Sequence, residues 1–133
     1  MKILVVEDEP TNLKLAHVVL ASEGHIVHDA DEGEKAWESI KREAPDILVT
    51  DLAMPKLDGL SLVRRVKADP TTRHIIVIAI TAYPDRFTEE AAKAAGCDVY
   101  IVKPMDTRRL NQQLDQAVEK SKREAKDASR GSR

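Results

Sequence analysis

The feature that most restricts how this chain can fold is a short apolar segment followed by a helical pattern, repeated five times. The apolar segments are rich in β-branched residues, and several are continuous rather than alternating in polarity. Continuous apolar segments are typical of parallel strands, which are buried on both faces of a sheet. We predict five strands over residues 2–6, 25–28, 47–50, 75–80 and 99–102, with the second as an edge strand.

Helical patterns occupy the intervals between these strands. The first helix is marked by Pro10 in its first turn and by Gly24 as a stop signal. Asp31 is predicted to cap the second helix, Thr88 the fourth and Asp106 the fifth. Strands that alternate with helices favour right-handed crossovers and helices on both faces of a parallel sheet. The fold class is therefore α/β, a five-stranded doubly wound parallel sheet in the flavodoxin-like order 2-1-3-4-5 with five helices.

Composition limits the classes of protein that fit this fold. The 133 residues suffice for one domain, and the longest uninterrupted apolar stretch is far shorter than the ~20 residues of a membrane helix. Four aromatic residues and one cysteine provide neither a base-stacking platform nor a disulfide within the chain. We expect a cytoplasmic protein without a membrane segment or a DNA-binding domain.

Charge divides the chain into two parts. The net charge is -2, but residues 120–133 carry +4, which leaves -6 on residues 1–119. The apolar stripe of the fifth helix lapses after residue 119. We therefore predict a domain over residues 1–119 and a charged, frayed or disordered tail over residues 120–133.

The candidate chemistry lies where the predicted strands end. Strand one is followed by Glu7 and Asp8, strand three ends at Asp51, strand four at Thr81, and strand five is followed by Lys103. Ligands of doubly wound sheets bind outside the carboxyl ends of the strands, so these groups should meet at one edge. Taken singly, each is more simply a turn residue or a helix cap. Together they favour a Mg²⁺ site with a lysine opposite the metal, and a carboxylate that accepts phosphate.

The motifs around these residues resemble the receiver domain of bacterial two-component response regulators over about residues 2–119. The matching motifs are Glu7-Asp8, the run from Asp51 to Gly59 (Asp-Leu-Ala-Met-Pro-Lys-Leu-Asp-Gly), Thr81-Ala82 and Lys103-Pro104. An acidic pair alone is weak evidence, whereas these four motifs in this order are highly specific.

The resemblance assigns a role to each residue of the site. It implies that Asp51 accepts a phosphoryl group from a phosphohistidine on a partner. Asp8, Asp51 and the backbone carbonyl of Ala53 would ligate Mg²⁺, and Glu7 would act through water. Thr81 would hydrogen-bond the bound phosphoryl group.

The resemblance also implies the parts of a switch. Lys103 would pair with the phosphoryl group, and the Lys103–Pro104 peptide bond would be cis. The ring of Tyr100 would move inward when Thr81 moves, unless it serves only to pack the strand. The small side chain of Ala82 would leave the phosphoryl group accessible.

The same resemblance implies which proteins bind the domain and how long its phosphorylated state lasts. The first helix would receive a sensor histidine kinase or a histidine phosphotransfer protein, and the fourth helix, fifth strand and fifth helix would contact a downstream protein. Ala53 cannot orient an attacking water and Tyr83 can cover the site, so we expect slow autodephosphorylation.

Two other interpretations share these residues. One is a Mg²⁺-dependent phosphohydrolase that forms an aspartyl phosphate, although the chain has little room for a cap domain. The other is a receiver-like scaffold that acts without phosphorylation, against which the complete site set argues. We expect a stand-alone phosphoacceptor signalling domain, not an enzyme, or a receiver excised from a larger protein.

Overall fold

The computed structural model describes the backbone of residues 1–131 and the side chains of residues 1–127. Five strands alternate with five helices. The strands are β1 (Lys2–Val6), β2 (Ile26–Ala30), β3 (Ile47–Asp51), β4 (Ile76–Thr81) and β5 (Val99–Val102). The helices are α1 (Pro10–Ala21), α2 (Gly33–Arg42), α3 (Gly59–Ala68), α4 (Glu89–Ala95) and α5 (Thr107–Gly131).

All neighbouring strands pair in parallel, and their order is β2-β1-β3-β4-β5. The predicted fold class and strand order are thereby confirmed. β2 is at an edge, as predicted, but it is shifted toward the C-terminus relative to residues 25–28 and includes Asp29 and Ala30. The sequence signal was weak there because an edge strand can carry polar residues that a central strand would exclude.

Two apolar layers hold the helices against the sheet. The side chains of each central strand alternate between them, so that Leu4 and Leu48 face α2, α3 and α4, whereas Ile3 and Ile47 face α1 and α5. This alternation is the period of two expected of a strand. Burial on both faces explains why the strand segments read as continuous apolar runs.

The helix caps follow the prediction at α4 and α5 but not at α2. Thr88 accepts a hydrogen bond from the Ala91 amide at the start of α4, and Asp106 accepts one from the Arg108 amide at the start of α5. The prediction for Asp31 is wrong, because α2 begins one residue later, with Glu32 at the cap position and no side-chain cap bond. Asp31 instead pairs with Lys35, 3.0 Å away.

The last helix is longer than predicted. α5 continues to Gly131, so the segment that we expected to be frayed or disordered from residue 120 is helical up to that point. Lys, Arg, Glu and Ala favour helix, and no proline interrupts this part of the chain. Packing nevertheless ends near the predicted domain boundary, since Val118 is the last buried side chain up to residue 127. Residues 132–133 lie outside the described part of the chain.

Candidate functional site

Four strands deliver polar side chains to the carboxyl edge of the sheet. Glu7 follows β1, Asp51 and Thr81 are the last residues of β3 and β4, and Lys103 follows β5. Glu7, Asp51 and Thr81 are almost fully buried, at 5%, 6% and 0% exposure. Buried polar groups at this edge are costly unless they are paired, so their arrangement is informative about function.

Three carboxylates form the centre of the site. One oxygen each from Glu7, Asp8 and Asp51 lies within 4.8 Å of the other two, and Asp8 is exposed to solvent. Oε2 of Glu7 is buried without a hydrogen-bond partner. An all-oxygen cluster of this kind, with one buried oxygen unsatisfied, fits a hard divalent cation such as Mg²⁺.

Lys103 bridges two of the carboxylates. Its Nζ donates a hydrogen bond of 2.8 Å to Oε1 of Glu7 and another of 2.8 Å to Oδ2 of Asp51. Burial acts to lower the pKa of Lys103, but the two carboxylates outweigh it and hold this pKa above its usual value. The side chain is therefore a fixed positive charge beside Asp51.

The pKa of Glu7 is raised as well. Burial raises the pKa of Glu7 to about 7, and the neighbouring Asp51 carboxylate adds to the rise while Lys103 opposes it. The raised pKa means that burial and the neighbouring Asp51 disfavour the ionised form of Glu7 more than Lys103 favours it. A bound divalent cation would favour the ionised form.

The loop after β3 is shaped to present Asp51. Oδ1 of Asp51 accepts a hydrogen bond of 2.9 Å from the Ala53 amide. Gly59 opens α3 directly behind, where a Cβ would lie 2.2 Å from the Asp51 carbonyl oxygen, so no other residue fits there without movement. Asp58 precedes it and caps α3 by accepting a hydrogen bond from the Ser61 amide. The direction of the Ala53 carbonyl toward a metal stays a prediction.

Two hydroxyl groups hold the segment between β4 and α4. Oγ1 of Thr81 accepts a hydrogen bond of 2.9 Å from the Tyr83 amide, and the hydroxyl of Tyr100 donates one of 2.5 Å to the carbonyl of Phe87. Phe87 is buried in the core, whereas the side chain of Tyr83 is 57% exposed. Thr81 and Tyr100 therefore contact the two ends of one segment. Its start, Ala82, is exposed and lines a cavity together with Asp51.

The Lys103–Pro104 peptide bond is cis. Lys103 is fixed to β4 at its backbone, because its amide donates a hydrogen bond of 2.8 Å to the Thr81 carbonyl. This hydrogen bond holds the end of β5, next to Lys103, against the end of β4 at Thr81.

Comparison with known proteins identifies the family. The family model described as the response regulator receiver domain matches residues 3–115. The chain belongs to this family. It is a signalling domain of two-component systems, as the resemblance in the motifs predicted.

Three relatives illustrate the range of proteins that contain this domain. The chain is 40% identical over 106 residues to a 14.6 kDa protein of Leptolyngbya boryana, covering 80% of this chain and 81% of that protein. It is 32% identical over 108 residues to the polar-differentiation response regulator DivK of Brucella anthropi, covering 81% and 88%. It is 38% identical over 105 residues to the response regulator PleD of Caulobacter vibrioides, covering 79% of this chain but only 23% of PleD.

Solved structures agree with the fold. A response regulator of Chloroflexus aurantiacus superposes with a TM-score of 0.83 at 30% identity, over 89% of this chain and 97% of that one. The receiver domain of the Pseudomonas aeruginosa sensor histidine kinase PA1611 superposes with a TM-score of 0.81 at 31% identity, over 89% and 97%. That receiver domain has a magnesium ion in its active-site cleft.

Sequence reasoning missed two features around the site. Glu9 caps α1 by accepting hydrogen bonds from the Thr11 and Asn12 amides, which hold the pKa of Glu9 below its usual value. Glutamate is outside the usual set of capping residues, so no signal pointed to it. The second feature is the cavity beside Asp51, which depends on packing between α1 and the segment after β5 and leaves no motif. In the described part of the chain, no helix is long and apolar enough to cross a membrane.

Proposed function

We propose that this receiver domain accepts a phosphoryl group from a phosphohistidine donor onto Asp51, with Mg²⁺, and thereby switches a protein-binding surface. The observation that carries the proposal is the cluster of Glu7, Asp8 and Asp51 with Lys103 hydrogen-bonded to Asp51. This arrangement combines a candidate nucleophile, a candidate metal site and a fixed cation within one buried edge of the sheet.

The transfer is a displacement at phosphorus. A carboxylate oxygen of Asp51 attacks, the new P–O bond forms as the P–N bond to the donor imidazole breaks, and the imidazole nitrogen keeps the electron pair. The Ala53 amide and Lys103 each hold one oxygen of Asp51, which fixes the orientation of the carboxylate. Such positioning, together with charge stabilisation, is the main source of catalysis in phosphoryl transfer.

The residues present fit Mg²⁺. Asp8 and Asp51 would supply carboxylate oxygens and Ala53 its backbone carbonyl, while Glu7 would act through water. When bound, Mg²⁺ would neutralise the negative charge that develops on the transferring phosphoryl group. The exposed side of the cluster at Asp8 is open to solvent and is the natural route of entry.

The switch would start at Thr81 and Lys103. A phosphoryl group on Asp51 adds negative charge and acceptor oxygens. Thr81 would donate its hydroxyl hydrogen to these oxygens and Lys103 would pair with them, so both contacts differ between the two states. Because Thr81 and Tyr100 contact the two ends of the β4–α4 segment, a shift of Thr81 would move that segment and bias the surface formed by α4, β5 and α5.

The proposed function also includes the docking partners and the lifetime of the phosphorylated state. A sensor histidine kinase or a histidine phosphotransfer protein would act at α1 in the cytoplasm, and a downstream protein would bind the α4, β5 and α5 surface. The methyl group of Ala53 cannot hold an attacking water, and Ala82 leaves space at the phosphoryl group. Tyr83 would have to move its exposed ring to cover the site.

Intact-mass spectrometry tests the proposal. The wild type, Asp51→Asn and Asp98→Asn are incubated with acetyl phosphate in Mg²⁺ or in EDTA. We expect one phosphoryl group on the wild type and on the Asp98→Asn control, only with Mg²⁺, and none on Asp51→Asn.

Two outcomes would point elsewhere. If neither acetyl phosphate nor a beryllofluoride titration followed by NMR changed the protein, a phosphorylation-independent scaffold would replace the proposal. Steady turnover of p-nitrophenyl phosphate, lost in Asp51→Asn, would indicate a phosphohydrolase.

A further inference from the structure

The outer edge of β2 carries backbone groups that no other strand uses. β2 is the first strand of the sheet and pairs only with β1. The amide of Ile26 and the carbonyl of Ala30 bond to the chain on the β1 side. Because backbone groups alternate in direction along a strand, the residues between and before them point their N–H and C=O groups outward. These outward residues are His25, Val27 and Asp29.

β2 lacks the usual protection of an edge strand. Natural edge strands are commonly protected by proline, lysine or a β-bulge. Along Ile26–Ala30 there is neither proline nor lysine, and the five residues pair with β1 in continuous register. The side chain of Ile26 is 57% exposed, and a groove of about 520 Å³ lies beside the strand at His28 and Asp29. An extended segment can therefore reach the outward backbone groups.

Antiparallel pairing of β2 with β2 of a second copy matches these groups. When Val27 lies opposite Val27 of the second copy, His25 lies opposite Asp29 and Asp29 lies opposite His25. All three positions carry outward backbone groups, so each opposed pair can exchange both of its N–H···O=C bonds. The arrangement is two-fold symmetric and closed, as in most homodimers. It would join the two sheets into one continuous sheet.

The side chains are complementary in this register and not in the adjacent ones that keep the backbone bonds. An imidazole can donate a hydrogen bond to a carboxylate. Asp29 can accept one at Oδ2, because it is Oδ1 that lies 2.7 Å from Nδ1 of His17. A shift of two residues one way puts Asp29 opposite Glu23, and a shift the other way puts it opposite the apolar Val27. Like charges directly opposite each other are unfavourable, so the register centred on Val27 is favoured.

We propose that this protein forms a two-fold symmetric dimer by antiparallel pairing of the β2 edges of two copies. The proposal does not depend on phosphoryl transfer. In the dimer, His28 of each copy lies opposite the exposed Ile26 of the other, on the same face of the sheet. β2 and β5 are opposite edges of the sheet, so both surfaces formed by α4, β5 and α5 stay accessible. A partner with two binding sites would then bind both surfaces at once and gain avidity.

Sedimentation equilibrium and amide hydrogen exchange of the full chain test the dimer together. We expect a monomer–dimer equilibrium between about 10 µM and about 1 mM protein. The amides of Val27 and Asp29 should gain at least about threefold protection at the higher concentration. The Val102 amide, on the β5 edge, is the control. It also points outward, since the next amide, that of Lys103, donates to the Thr81 carbonyl, and its exchange rate should not depend on concentration.

Charge exchange across the interface tests the register. His25→Asp puts a carboxylate opposite Asp29 of the second copy, and Asp29→Lys puts a cation opposite His25. We expect each single variant to weaken the dimer at least about tenfold. The double variant restores opposite charges in this register and should dimerise within about threefold of the wild type. Asp115→Lys, at an exposed position of α5, is the matched control and should dimerise as the wild type does.

Circular dichroism checks that each variant is folded, and the exchange measurement on the wild type needs no variant. Concentration-dependent protection of Val27 together with rescue by the double variant would support the proposal. A protein that stays monomeric at about 1 mM would overturn it. A dimer that protects the Val102 amide instead would place the interface at β5 and also overturn it. Single variants that dimerise as the wild type does, or a double variant without rescue, would exclude this register and thereby the proposal.

Discussion

The two ends of the sheet use the same residue types in different ways. At the amino end, Asp46 precedes β3 and Asp98 precedes β5. Asp46 accepts a hydrogen bond of 2.8 Å from the Lys2 amide, and Asp98 accepts one of 2.8 Å from the Val77 amide. Each carboxylate is thus satisfied by the backbone of a neighbouring strand, which is a structural role.

At the carboxyl end the carboxylates face one another. Glu7 and Asp51 share Lys103, and one oxygen of Glu7 has no partner. The pKa of Glu7 rises to about 7 there, chiefly through burial. An acidic residue at the end of a strand therefore indicates a functional site when other carboxylates lie close to it and one of its oxygens lacks a hydrogen-bond partner. Its position next to a strand in the sequence is not sufficient.

The largest contrast between the ends concerns reactivity. Cys97, at the amino end, is buried, and burial together with the adjacent Asp98 raises its thiol pKa to about 12. A raised pKa keeps the thiol protonated at pH 8, so we expect alkylation by iodoacetamide to be at least about 100-fold slower than that of free N-acetylcysteine. The rate should rise about tenfold per pH unit between pH 7 and pH 9.

Protein unfolded in urea is the control for this measurement, and it should react at the rate of the small thiol. A folded-state rate within about tenfold of N-acetylcysteine would show that the amino end is not the inert region described here.

The next contrast is in stability. Asp98→Ala removes the acceptor of the buried Val77 amide, and we expect the free energy of unfolding to fall by about 1–3 kcal/mol. Asp98→Asn keeps an acceptor oxygen and should lose less. At the other end, Asp51→Asn keeps an acceptor for the Ala53 amide and relieves crowding with Glu7, so its unfolding free energy should stay within about 1 kcal/mol of wild type. Urea denaturation measures the free energy of unfolding of all three variants. Equal losses of this free energy in Asp98→Ala and Asp51→Asn would contradict the difference between the two ends of the sheet.

A smaller effect is expected in the lifetime of the phosphorylated state. Ala53→Asn adds a side chain that can hold a water near Asp51, and one added hydrogen bond corresponds to an autodephosphorylation rate about two- to tenfold faster. The decay is followed by intact mass after removal of acetyl phosphate, with Ala53→Val as the control that adds bulk without a polar group. An unchanged or longer half-life in Ala53→Asn would show that this position does not tune the lifetime.

The smallest effect is expected where α5 extends past the amino end of the sheet. A helix of 25 residues is about 37 Å long, roughly twice the length of the strands. Since the side chains from Lys122 to Asp127 are exposed, deletion of residues 120–133 should change the free energy of unfolding by less than about 0.5 kcal/mol. A loss well above 1 kcal/mol by thermal or urea denaturation would move the domain boundary beyond residue 119.

Much of the fold and of the site was predictable from the sequence. The strand segments stand out because burial on both faces removes polar residues, and the alternation with helices leaves few topologies. Glu7, Asp51, Thr81 and Lys103 each follow an apolar segment, so the parallel arrangement alone brings them to one edge.

The features that could not be predicted depend on packing between distant segments, which leaves no pattern in the local sequence. Asp31 and Glu32 are both acidic residues before a helix, and the sequence alone does not distinguish which of them takes the cap position. The role of Asp98 depends on its hydrogen bond with the Val77 amide, and Val77 is 21 residues away in the sequence. Ala16 and Met105 line the cavity from two segments that are distant in the sequence, so neither segment alone predicts it.

The most direct test of the account is to locate the phosphoryl group. After incubation with acetyl phosphate and Mg²⁺, borohydride reduction converts an aspartyl phosphate to homoserine, which tandem mass spectrometry assigns to a position. The account predicts homoserine at Asp51 and none at Asp8, Asp46, Asp58 or Asp98. Homoserine at Asp8 or at an amino-end aspartate, with Asp51 unmodified, would contradict it.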